Sequence, residues 1–580
     1  MTYMRALLFF VSTLGTFEFL RLAGKERING FFLPSLTVAA QVTALFFGGL
    51  LNVLPETVLA LYLLGFLGLA YRIRRDGNLA FLQKYRQPGY GVFLAVLLLA
   101  AVYVHGKVLV HYDNFTHWGQ VVRTMLDRNQ FPNFEDTLVE FQEYPLGSSV
   151  YLYFFARCVG TGEPVLMLAQ IYMLAAAVLP LFALAGERQW AAAAAVVPFF
   201  YVVFVYNIFL TDLLVDTLLP IVGMCGLLFA LLHCKKGCGK LELWCSALYM
   251  TQVIQIKNSG VFFAILIALP VLRCVWQGKA FARGIPSLVF PFFSMLLWQR
   301  HCRMAFSTAE VTLHAMTLAN YRTGAAERTA EDLLAICKTF LRFAVTWKDV
   351  WLTAAFCVVI GCLILAFGKE ERKRFLPLVL FSLGLYVVYQ LGLLAMYLFS
   401  MPVGESMRLA SAKRYTRTIL IAILYLNMIP AVQLISGLRG KRSRRAAVAG
   451  CVCLSLAAFV SLSAGSVKLT TSQTGDPARR IWMEQAREEY NVPDRESYCV
   501  LLGTMDNGYM GYMTKYMFQS SYVGVLTAEE LSEEKEIIQD YIFVYDSENP
   551  TISEWIRVHY PEQAGRRVII TAAADAPDAR

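Results

Sequence analysis

The stretch "VHYDNFTHWG" (110–119) sets a carboxylate, Asp113, just beyond an apolar run that ends near Gly106, with His117 and Trp118 close behind. A charge at the edge of an apolar layer is costly unless it is solvated or used. Held near a hydroxyl or amine, such a carboxylate can act as a general base. On a helix Asp113 and His117 would share a face. The bland alternative for Asp113 is a helix N-cap beside an interfacial tryptophan. His111, Asp113 and His117 together also form a loose metal-ligand set.

Three further groups have the same character. "TDLLVDTLLP" (211–220) carries Asp212 and Asp216 at i,i+4 spacing, predicted to lie on one face of one helix at the start of an apolar run. Paired acids there are unfavourable unless water, a cation or a substrate compensates, although acids at a helix N-terminus gain from its dipole. "QIKNSG" (255–260) strands Lys257 between two apolar runs, either as a snorkelling lysine or as a partner for a phosphate or for the acids. "SMPVGESMRLASAKRYTR" (400–417) groups Glu405, Arg408, Lys413, Arg414 and Tyr415, and arginine suits phosphate geometry.

The elements that must position these residues are mostly apolar. The chain has 580 residues, 57% of them hydrophobic and 16% charged, with a mean hydropathy of +0.51. Its apolar runs approach the roughly 20 residues that cross a bilayer as a helix. An all-α polytopic membrane protein follows, with about 14 spans near 4–21, 31–51, 54–71, 89–106, 164–185, 189–206, 213–232, 241–256, 259–276, 285–300, 350–367, 375–398, 416–437 and 446–464. No cleavable signal is visible, and the first run reads as a span. Short basic loops such as "RIRRDGNLAFLQKYRQ", "CKKGCGK" and "GKEERKR" mark the cytoplasmic side. Segments 107–163, 301–349, 400–415 and the tail then fall outside, at the plasma membrane surface. "YPLGSSVYLYFFARCVG" (144–160) is short for a span, and counting it as one would put every later basic loop outside. It therefore reads as a helix at the outer interface.

The net charge of +10 is uneven: from Lys468 onward there are about 11 basic and 19 acidic residues, so the membrane part carries nearly +18. Those basic residues sit in short loops, which argues against nucleic acid as partner. Most cysteines lie in apolar runs as small hydrophobes, and Cys234 with Cys238 lacks the second pair of a zinc site. The chain divides into N-terminal helices (1–88), a transmembrane core (89–467) and a small external α/β domain (468–580). In that domain 477–490 and 508–518 read as helices, and 498–503, 522–526, 541–546 and 567–571 as strands. Without a glycine-rich phosphate loop, the domain reads as a cap or recognition module.

An apolar span, an acid just after it, a Trp-bearing loop and then "YPLG" resemble the GT-C class of membrane glycosyltransferases, which includes protein O-mannosyltransferases and the lipid A aminoarabinose transferase. Asp113-Asn114-Phe115-Thr116-His117-Trp118-Gly119 and Tyr144-Pro145-Leu146-Gly147 carry the likeness, over 89–300 well and 301–437 loosely. The resemblance implies that Asp113 is the catalytic base, that Asp216 and then Asp212 are the second acid, and that Lys257 occupies a K-x-x-G turn. His117, Trp118, Tyr144, Lys257, Glu405, Arg408, Arg414 and Tyr415 would bind substrate. A sugar would pass, with inversion, from a polyprenyl-phosphate donor to a glycan, lipid or protein acceptor of the cell envelope. No cofactor is fixed, and a divalent cation is left open. Leu146 in place of a second proline, and the lack of an acidic doublet at Asp113, depart from the class. The rival functions are a transporter or flippase of lipid-linked glycans and a glycan polymerase or ligase. A transporter should carry charges or broken helices at mid-membrane depth.

Overall fold

The computed structural model describes residues 2–190, 192–193, 195–196, 210–235, 238–306, 328–438, 477–531 and 536–571. The expected span 446–464 and most of 189–206 lie outside those residues. In chain order the helices begin with α1 (Thr2–Ala23), α2 (Leu33–Leu50), α3 (Leu54–Asp76), α4 (Pro88–Val104), α5 (Gly119–Arg128), α6 (Gly147–Val159) and α7 (Glu163–Val178). There follow α8 (Leu218–His233), α9 (Lys240–Ile256), α10 (Gly260–Gly278), α11 (Phe281–Ala305), α12 (Ala330–Thr346), α13 (Lys348–Ala366), α14 (Lys369–Phe399), α15 (Val403–Met407) and α16 (Ala412–Gly437).

Among the described residues nine helical stretches, of 19 to 31 residues, are long and apolar enough to cross a membrane. They are Met4–Ala23, Gly30–Leu50, Leu54–Asp76, Glu163–Ala185, Gly260–Gly278, Phe281–Ala305, Lys348–Ala366, Lys369–Phe399 and Ala412–Gly437, and α4 and α8 are shorter apolar helices. The chain is thus a mostly helical membrane protein. α2, α7, α9 and α16 form the interior, whereas α3, α4, α11, α13 and α14 turn leucine, valine and phenylalanine outward. On α4, Leu99 is 71% and Val102 77% exposed, a surface suited to lipid rather than water.

Local chemistry sets the helix ends. Pro88 opens α4 after an extended Gln87, a position where the missing N–H costs nothing. Gly77, at φ +68°, closes α3 with its N–H on Ile73 O. α4 runs from the basic segment 71–90 to the Asp113 segment. α8 runs back from Asp216 to His233, whose Nε2 accepts from Asn29 N at 3.3 Å. The acidic and basic segments therefore sit at opposite ends of the bundle, about 25 Å apart along a 17-residue helix.

The 144–160 helix departs from the expectation of a surface element. α6 is buried on nearly every side, with Tyr151, Tyr153, Phe154 and Phe155 all in the core against α1, α2, α7 and α9. Helices on all sides remove both its lipid-facing and its water-facing surface. Gly147 permits this, because a Cβ there would lie 2.6 Å from the backbone of Gln255.

The tail follows its predicted pattern. α17 (Pro477–Glu489), β1 (Tyr498–Leu502), α18 (Tyr509–Phe518), β2 (Val523–Thr527), β3 (Tyr541–Val544), α19 (Pro550–His559) and β4 (Val568–Ile570) form one small layer. The sheet order is β2-β1-β3-β4, with β4 antiparallel and the others parallel. It docks on the polar segment through α18. Tyr509 Oη donates to Val110 O at 2.8 Å, and Arg123 Nη1 to Tyr516 O at 2.8 Å. Tyr516 Oη and Arg480 also meet Glu163, at 2.9 and 3.3 Å.

Candidate functional site

Gly106, at φ +70°, turns the chain out of α4, and residues 107–111 then form no regular element. Leu109 N is fixed by Glu163 Oε2 at 2.6 Å. Asp113 lies before a π-helical turn, Asn114–Trp118, rather than inside a regular α-helix. Such wider turns are frequent at functional sites. Its backbone N–H donates to His111 Nδ1 at 3.1 Å.

The Asp212–Asp216 segment is not the helix its spacing suggests. It is an irregular loop, and α8 starts only at Leu218. Outside groups meet its backbone: Asn114 Oδ1 accepts from Leu213 N at 3.1 Å, and Gln170 Nε2 donates to the carbonyls of Asp212 and Leu214. Asp212 Oδ1 takes Leu214 N at 3.0 Å, which closes a local turn that competes with helix formation. The two acids therefore separate in role. Asp212 shapes the loop, and Asp216 joins the charged cluster.

That cluster draws on four distant segments. Lys257, with extended backbone after α9, puts Nζ 2.7 Å from Asp216 Oδ1. Arg414, in the first turn of α16, donates through Nη1 to Asp113 Oδ2, and its Nε lies 3.6 Å from Asp216 Oδ2. The ring of Tyr415 lies under both cations, 5.1 Å from Lys257 Nζ and 5.4 Å from Arg414 Cζ. A cation in the first turn opposes the helix dipole. The two carboxylates offset it. The turn before α16 holds Leu409 at φ +50° and Ser411 at φ +59°, a left-handed conformation that costs of order 1–3 kcal/mol per residue and gathers at functional sites. Gly260 permits the sharp turn after Lys257, since a Cβ would lie 1.8 Å from Val253 O.

Burial works against both members of the inner pair, yet each holds the other charged. Lys257 and Arg414 keep the Asp216 carboxyl below the usual carboxylate range, and Asp216 keeps the Lys257 ammonium above its ordinary value. Burial pushes His111 down, against the pull of Asp113, whose Oδ1 lies 3.9 Å from its Nδ1. His117 is more extreme. It is 1% exposed, and its ring sits 4.6 Å from Trp118, 5.2 Å from Tyr144 and 5.9 Å from Phe141. Both ring nitrogens lack a hydrogen-bond partner among the described residues. Burial lowers its pKa to about 3, so it stays neutral.

Of the residues expected at a site, Asp113, Asp216, Lys257, Arg414 and Tyr415 come together. His117 and Tyr144 back them, and Trp118, 4% exposed, packs behind rather than facing open space. Glu405 and Arg408 sit in and just after the short α15, Arg408 exposed, and neither is brought onto the carboxylates. Arg328 holds that loop by donating to Tyr397 O and Ser406 Oγ. Residues without a signal in the pattern also matter: Asn114 and Gln170 shape the Asp216 loop, and Arg417 meets the buried Asp349 at 3.2 Å one turn beyond Arg414. Only the adjacency of Asn114 to Asp113 hints at its role. Among the described residues no group of three or more His, Cys, Asp or Glu side chains converges as metal ligands, so His111, Asp113 and His117 do not form one. The chain matches no family model, no curated protein and no solved structure.

Proposed function

We propose that the chain is a membrane glycosyltransferase of GT-C type, moving a sugar from a polyprenyl-phosphate donor to a cell-envelope acceptor at the outer face. The observation that carries this reading is the meeting of Asp113, Asp216, Lys257 and Arg414, from four segments, at the end of the bundle away from the basic loops. By the positive-inside rule that end is external. This reading counts about 14 crossings, two of them outside the described residues, and has the tail domain cover the Asp113 loop from outside.

In this reading Asp113 takes the proton of the acceptor hydroxyl or amine as that atom attacks the anomeric carbon. The bond to the donor phosphate breaks on the opposite face, with inversion. Lys257 and Arg414 bind the departing phosphate, where charge develops and fixed cations count most. Arg414 pairs with Asp113. A donor phosphate would compete for Arg414 and leave the Asp113 oxygen free for the acceptor, which favours donor before acceptor. The charged groups lie at helix ends rather than at mid-membrane depth, which favours transfer over transport.

The test is purified Asp113→Asn protein supplied with polyprenyl-phosphate-linked sugars. Loss of a general base predicts a fall in sugar consumption of about 100- to 10,000-fold. Unchanged turnover removes Asp113 as the base, and sugar movement without bond cleavage removes the transferase reading.

A further inference from the structure

A second site lies at the other end of the bundle. The end of α1, the Gly30–Phe32 turn, the Ala80–Tyr85 turn, the start of α4 and the Leu179–Ala185 turn enclose a cavity of about 370 Å³. Most of its polar lining is already engaged. Gln189 Nε2 donates to Gln87 Oε1 at 2.8 Å, Gln189 Oε1 accepts from Gly89 N at 3.0 Å, and Lys84 Nζ meets Glu26 at 2.8 Å. Tyr90 Oη donates to Gly30 O at 2.6 Å.

Arg21 is the exception. It is 8% exposed, with Nε 3.2 Å from Glu18. Its Nη2, beside the hydroxyls of Tyr85 and Tyr90, makes no well-aligned hydrogen bond to the described residues. A buried guanidinium that lines a cavity and keeps an unmatched donor asks for an anion. The surroundings agree in sign: segments 18–30 and 71–90 hold eight basic and three acidic residues. Gly30 keeps the space open. A Cβ there would lie 3.3 Å from Arg21 Nη2 and 3.1 Å from Tyr90 Oη, although its φ lies outside the left-handed region.

We infer that this cavity binds a phosphate ester, with the Arg21 guanidinium donating to a phosphate oxygen. The cavity opens where apolar helices end, so a lipid headgroup and a soluble phosphate both present this chemistry. The site is independent of the transferase reading, since it shares no residue with the acidic end.

The experiment is native mass spectrometry and thermal shift on the full-length protein in detergent, with dihexanoyl phosphatidylglycerol or inorganic phosphate as probe. Wild type is expected to retain a phosphate-bearing adduct. Gly30→Ala, which alters no charge, should weaken it at least tenfold while leaving the ligand-free unfolding temperature near that of wild type. Arg21→Gln should abolish it. Binding of the lipid alone identifies a headgroup, and binding of inorganic phosphate alone a soluble ligand. No adduct with either probe, or equal retention by wild type and Gly30→Ala, overturns the proposal.

Discussion

Each end of the bundle carries a buried ion network, and the two are assembled differently. At the basic end two pairs are helical neighbours, Glu18 with Arg21 at i,i+3 and Arg72 with Asp76 at i,i+4 and 2.9 Å, and those four residues all lie on the regular helices α1 and α3. Arg72 reaches across from α3 to the fully buried Glu18 at 3.3 Å, where α1 and α3 pack. At the acidic end Lys257 reaches Asp216 across 41 positions, and Arg414 reaches Asp113 across 301. Those four residues sit at helix ends and on irregular backbone, beside a π-helical turn and two left-handed residues. A network carried mainly on two regular helices forms wherever those helices pack. One held in irregular loops needs dedicated support and keeps room to rearrange around a ligand, which is why the acidic end is the better candidate for chemistry.

The contrast is most sharply tested by breaking one pair at each end. Lys257→Met leaves the Asp216 carboxylate buried without its nearest cation, a change expected to destabilise by about 3–5 kcal/mol. Thermal unfolding in detergent should show the loss, and the double change Lys257→Met with Asp216→Asn should recover much of it. If the single change is neutral, the pair is not what holds that end together.

Next in size is the support beneath the site. Gly147→Val forces a branched side chain onto the Gln255 backbone and should cost about 3 kcal/mol or more. Because α6 seats the Tyr144 loop against the turn that carries Lys257, sugar consumption should fall with stability. A folded, fully active Gly147→Val protein would show that this contact positions nothing.

His117 gives a pH-dependent version of the same comparison. Its folded pKa of about 3 lies below the ordinary 6.5, so below pH 6.5 the unfolded chain takes up a proton that the folded chain refuses. Stability therefore falls as pH falls from 6.5 toward 3, by up to about 1.4 kcal/mol per pH unit. Subtracting the profile of His117→Phe from that of wild type isolates this slope. Parallel profiles would mean that the ring is not sealed from water.

The smallest effect belongs to the rim of the basic end. Lys84 and Glu26 are paired at 2.8 Å but are 37% and 51% exposed, so Lys84→Ala should cost less than about 1 kcal/mol. A loss as large as that of Lys257→Met would erase the distinction between the two networks.

Much of the site was legible one residue at a time. Asp113, Asp216, Lys257 and Arg414 each stand out as charges beside apolar runs, because such charges are costly without a purpose. What failed was geometry. The i,i+4 spacing of Asp212 and Asp216 predicts a helix, yet Asn114 and Gln170 supply hydrogen bonds that make an irregular loop stable instead. The aromatic run 144–160 reads as interfacial, yet Gly147 and the surrounding helices bury it. Neither outcome leaves a local mark, since each depends on partners elsewhere in the chain.

The sequence by itself determined that this is a helical membrane protein, where most of its long apolar helices lie, and which charges are stranded near their ends. Apolar run length, proline, glycine and loop charge act over short stretches, so they can be read along the chain. Only the tertiary structure decided which acid meets which cation, which tyrosine lies beneath them, and that the guanidinium of Arg21 lines a cavity. Those pairings depend on how the helices pack, and packing brings together residues whose separation along the chain carries no record of their contact.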